Sequence, residues 1–173
     1  MPKIGWIQMI SVGFDGNRFR GDILPALDKL KQQGVIRVLD LLFVRKDELG
    51  NVATTKASDL DMEEAIGFGE YIGTLVGFAA GGPEGADRGA LAGAAAMADG
   101  HLFDEDDAFQ LTQALPNGMS AAIVLIEHTW SLPLLDAIEG ADGVELSNRL
   151  VSVDDLLSAG LDLRADEADA LET

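Results

Sequence analysis

Between Gly69 and Gly93 the chain places a glycine at every fourth residue: Gly69, Gly73, Gly77, Gly81, Gly85, Gly89 and Gly93. Glycine in a helix interior costs about 1 kcal/mol relative to alanine, so a run on one period demands a physical reason. Three readings compete. A bilayer-spanning helix needs about 20 predominantly apolar residues, and here Glu70, Pro83, Glu84, Asp87 and Arg88 interrupt the stretch. A phosphate-cradling loop sets its glycines between a strand and a helix and usually adds a lysine. These glycines fall inside predicted helices, no lysine follows, and Glu84 and Asp87 repel an anion. Close packing survives: residues four apart share one helix face with about 40° of drift per step, and a glycine face lets two backbones approach.

Gly81-Gly82-Pro83 breaks the run, and Pro83 suits the first position of a new helix. This predicts a helical hairpin over 62–80 and 83–99, opened by a capping box at Asp61-Met62-Glu63-Glu64. Gly69, Gly73 and Gly77 form one groove; Gly85, Gly89 and Gly93 form its mate. The far side of the first arm carries Phe68, Tyr71, Ile72, Leu75, Val76 and Phe78, more apolar surface than one thin helix covers. Such a patch marks an interface. The expected partner is therefore the protein itself, in a homo-oligomer such as a shell, ring or filament.

Around the hairpin, apolar runs alternate with amphipathic ones. Lys3–Phe14 is a predicted strand, 21–34 a helix ending at Gly34, and 35–58 a strand, a turn at Asp47–Asn51 and a return strand. Asp104 caps a helix over 104–115, and Ser120–His128 is a buried strand. A helix from Ser131, a strand over 144–151 and a short capped helix over 152–160 complete the series. Leu24-Pro25-Ala26-Leu27-Asp28-Lys29-Leu30 is echoed by Leu132-Pro133-Leu134-Leu135-Asp136-Ala137-Ile138. Two βαβ-type halves on one antiparallel sheet predict an α+β, ferredoxin-like domain over 1–160. The hairpin 62–99 and the helix 104–115 are its insertion, and 161–173 is an acidic tail, solvating or docking a partner.

Charge and chemistry narrow the function. Thirty acidic residues against 12 basic give a net charge of −18 across 173 residues, which opposes nucleic acid and anionic lipid. The absence of cysteine removes disulfides, thiolate metal sites and thiol nucleophiles. The N-terminus lacks a signal-peptide pattern, so the expected residence is cytoplasmic. His101 and His128 are the two histidines. Glu127, His128 and Trp130 mark a second candidate, a ligand-binding or enzymatic cleft between sheet and hairpin. Strand alternation sets Glu127 and His128 on opposite faces and favours His128 as a hydrogen-bonded strand-end residue. His101 precedes Asp104, Glu105, Asp106 and Asp107, whose charges match a helix dipole better than a cation site. With no nucleophile–base constellation in view, the reading is non-enzymatic, with no cofactor and no metal. Membrane contact through the hairpin is a third, less favoured reading.

Taken in order, "VLDLLFVRKDELGNV", "ASDLDMEEA", the glycine ladder, "ADGHLFDEDDAFQL" and "LPNGMSAAIVLIEHTWSLPLLDAI" resemble a prokaryotic family catalogued as domain of unknown function twelve-sixty-nine, with its actinobacterial relatives. The likeness runs from about Gly5 to Gly160. It also implies a looser similarity to glycine-zipper general-stress proteins, hence a stress-related role. The family brings no catalytic residues to this chain.

Overall fold

Residues 3–17, 21–153 and 155 are described by the structure, a computed structural model. Four apolar runs pair into one antiparallel sheet: β1 (Trp6–Phe14), β2 (Arg37–Lys46), β3 (Val52–Ala57) and β4 (Ser120–His128). Their order is β1-β4-β2-β3. The near-continuous apolar runs of β2 and β4 are the most buried and take the centre, whereas β3 is largely exposed at one edge. Central strands are covered on both faces, so they tolerate few polar side chains. The turn between β2 and β3 is built on Asp47, whose carboxylate accepts from Leu49 N, Asn51 N and Asn51 Nδ2 at 2.8–2.9 Å. These bonds, that of the Asn51 side chain foremost, hold the Asp47 carboxyl below the usual range.

The helices are α1 (Ile23–Gln32), α2 (Met62–Ala96), α3 (Glu105–Ala114) and α4 (Ser131–Gly140). On one face of the sheet, Leu27 of α1 packs against Ile36, Val38, Val124 and Ile126. On the other, Ala65, Phe68 and Met97 cover Leu39, while Phe103 and Leu115 cover Leu42, Val44 and Ala121. A register shift between Val38 and Asp40 makes Leu39 a bulge. The extra residue re-aims its neighbours, and both Leu39 and Asp40 become fully buried. The Asp40 carboxylate then accepts from Leu102 N, Phe103 N and His101 Nδ1 at 2.7–2.8 Å, tying the loop before α3 to the sheet. Asp61 and Glu64 close a capping box on α2, and Asp104 and Asp107 close one on α3.

One expectation is corrected. The two βαβ-type halves call for a strand over 144–151, and none forms there, so the second half is incomplete. Asn148 interrupts the alternation of Val144, Leu146 and Leu150 that a half-buried strand needs. The sheet extends beyond β2 through the hairpin strand β3 instead. What stands is an α+β chain with a four-stranded antiparallel sheet.

The chain packs as two units, Met1–Ala137 and one beginning at Ile138, so a boundary falls inside the expected 1–160 domain. In the second unit, Asp142 adopts a left-handed φ of 56° and Gly143 N bonds to Ile138 O, ending α4. Val144, Leu146 and Leu150 follow as exposed side chains. Ser152 and Asp155 exchange cap hydrogen bonds where the short helix was expected. Its remainder, and the acidic tail, lie outside the described residues.

Candidate functional site

The hairpin within α2 is divided by non-helical backbone at Gly81 and Gly82, the latter at a φ of 62° that favours glycine. The arms face each other through glycine: Gly69 meets Gly93, Gly73 meets Gly89, and Gly77 meets Gly85. A Cβ on any of these six would lie well under 3.0 Å from a backbone oxygen of the opposite arm. That steric demand explains the four-residue period. Gly81 is the exception, since a Cβ there would meet nothing nearer than Arg88 Nη2 at 3.7 Å. It belongs to the break and not to the seam.

The stripe opposite the first arm's glycines divides along its length. Phe68 is buried and Ile72 packs on the same core cluster, while Tyr71 lines a cavity beside them. Toward the break the same stripe is open: Leu75, Val76 and Phe78 are 52%, 65% and 59% exposed, and Leu91 on the second arm is 75% exposed. Glycine contact has brought the arms together without using these side chains. The tip also carries Glu84, Asp87 and Arg88, and no described helix is long and apolar enough to cross a membrane.

At the hairpin base lies a cavity of about 330 Å³ between the first arm, the start of β2 and the turn after β4. Ile4, Leu60, Phe68 and Leu132 form apolar walls; Lys3, Arg37, Glu64 and Glu127 bring charge. Glu127 is 1% exposed, with Oε1 accepting from Gly5 N at 2.7 Å and Oε2 from Arg37 Nε at 2.9 Å. Arg37 Nη1 also donates to Glu64 Oε1 at 2.8 Å. One guanidinium thus links β4, β2 and the start of α2. Both Glu127 oxygens are engaged, so this carboxylate ties the start of β1 to β2. No family model, curated protein or solved structure matches the chain. The site is therefore read from its geometry.

Of the cleft residues expected from sequence, only Glu127 lines this cavity. His128 and Trp130 are absent from its walls and belong to a cluster that includes Gln8 and Trp6. Trp130 Nε1 donates to His128 Nδ1 at 3.3 Å, and His128 Nε2 meets Gln8 Oε1 at 2.9 Å. The indole is a donor only, so this pair assigns the proton to Nε2. Trp6 and Trp130 meet edge to face at 5.3 Å, and buried Ser131 accepts from Trp6 N and donates to His128 O. The cluster closes the sheet end, as expected of a strand-end histidine.

Sequence reasoning missed Arg37 and Asp40. Each is a lone charge in an apolar strand, "VIRVLDLL", and that mismatch was the available signal. Among the described residues no three His, Cys, Asp or Glu side chains group as a metal site would.

Proposed function

We propose that this chain is a non-enzymatic, self-associating structural protein whose glycine-zipper hairpin assembles copies into a homo-oligomer. The observation that carries the reading is the open stripe of Leu75, Val76 and Phe78 on the first arm of a hairpin whose inner faces are already closed by glycine. Exposed apolar side chains clustered on one element are characteristic of an interface. A second copy supplies the same stripe, which suits a symmetric contact. The strong negative charge of each copy resists indiscriminate aggregation and leaves association to the uncharged surfaces. Light scattering with electron microscopy tests this. The native chain should form a defined multimer that Val76→Glu with Phe78→Glu disperses, and a chain monomeric at every concentration would refute it.

A second reading rests on the cavity at the hairpin base, whose apolar walls, beside charges already paired with one another, suit a small neutral apolar ligand. It predicts that benzyl alcohol raises the melting temperature of the native chain and not that of a Gly67→Trp variant, whose side chain would fill the cavity. Equal shifts, or none, would remove it.

A further inference from the structure

β1 is an edge without the usual protection. Among the described residues β4 is its one ladder partner, and their register runs unbroken from Trp6↔His128 to Phe14↔Ser120. Natural edge strands are blunted by lysine, proline, bulges or shortness, because an open row of N–H and C=O groups templates further pairing. β1 spans nine residues, and Ile7–Gly13, "IQMISVG", holds no charged residue and no proline. The opposite edge, β3, has six residues and carries Lys56. β1 also exposes apolar side chains on both sheet faces: Ile7 and Met9 on one, Val12 on the other. A sheet protected at its β3 edge and, over Ile7–Gly13, unguarded at its β1 edge points to a use for β1.

We infer that β1 pairs antiparallel with β1 of a second copy across a twofold axis, joining two sheets into one of eight strands. Charge identifies the occupant. Each copy carries −18, so two copies meet with least repulsion along an uncharged strip, whereas a cationic partner would be drawn to acidic surface elsewhere. Identical strips run antiparallel are self-complementary: each supplies the N–H and C=O groups that the other lacks, and no charge is buried between them. The contact is independent of the hairpin. A chain with both would link in two directions, as a ring, shell or filament requires.

Hydrogen exchange and sedimentation on the full chain test the inference. In an edge strand alternate amides face away from the sheet and exchange fast; in the paired dimer both sets across Ile7–Gly13 exchange slowly. The outward set should become fast after about a hundredfold dilution through the dimer's dissociation. Met9→Glu brings a charge from each copy into the uncharged strip, and should raise the dissociation constant about 100-fold or more while the circular dichroism spectrum stays native. Val12→Glu, on the other face, should act alike and covers the case that Met9→Glu fails to fold. Phe78→Glu should leave β1 protection in place, which separates this contact from the hairpin's. Fast outward amides at high concentration would overturn the inference. So would protection that persists on dilution, which would mean that the chain covers its own edge, or a dimer indifferent to both glutamates.

Discussion

Adding a single methyl group at Gly67 and at Gly73 should have opposite effects. Both residues lie in the first arm of α2, six positions apart, and alanine at either recovers about 1 kcal/mol of helix propensity. At Gly67 a Cβ meets nothing within 4 Å, so the gain stands. At Gly73 it falls on the Gly89 carbonyl of the other arm, and no rotamer change relieves a clash between Cβ and backbone. The arms must separate, and overpacking of this kind costs about 3 kcal/mol at the upper end of the usual range. The net expectation is about 1 kcal/mol of stabilisation for Gly67→Ala and about 2 kcal/mol of loss for Gly73→Ala. At roughly 3 °C per kcal/mol for a chain of this size, calorimetry should separate the two variants by about 9 °C. If Gly73→Ala is as stable as Gly67→Ala, the glycine contact is not the reason for the period, and the account of the hairpin fails.

Further outcomes follow from the charged network and the turn. Arg37→Leu leaves Glu127 buried without its cation and should cost about 3 kcal/mol or more, read as a lower denaturation midpoint; an unchanged midpoint would show that Glu127 does not depend on Arg37. The Asp47 carboxyl is depressed below its ordinary value by bonds that exist only in the fold, so its contribution is present above the unfolded pKa and is lost as pH falls through the folded one. Stability of native chain and Asp47→Ala should therefore converge in acid and diverge toward neutral pH, and a pH-independent gap would contradict the turn's assignment.

Local features were the legible ones. Asp61 with Glu64 and Asp104 as helix starts, the Gly81-Gly82-Pro83 break and the strand boundaries each depend on a few neighbouring residues. The seam was legible because a Cβ clash repeats once per helical turn and so leaves a period in the sequence. Strand order was not, since it depends on which apolar run reaches the sheet centre, a contest among distant segments. The stretch 144–151 was expected to be a strand and is not one, because strand propensity is weaker than the packing a half-buried face must find. Arg37 and Asp40 acquire their roles from Glu127 and from the loop at 101–103, both far off in sequence. Nothing local announces such partners.

The central claim is that copies associate through the open stripe of the hairpin. Sedimentation equilibrium of the native chain against Val76→Glu with Phe78→Glu, across a concentration series, tests it most directly. The account predicts a multimer larger than a dimer for the native chain, falling to a dimer or below in the double variant with its fold intact. A native chain that sediments as a monomer, or a double variant of undiminished mass, would contradict it.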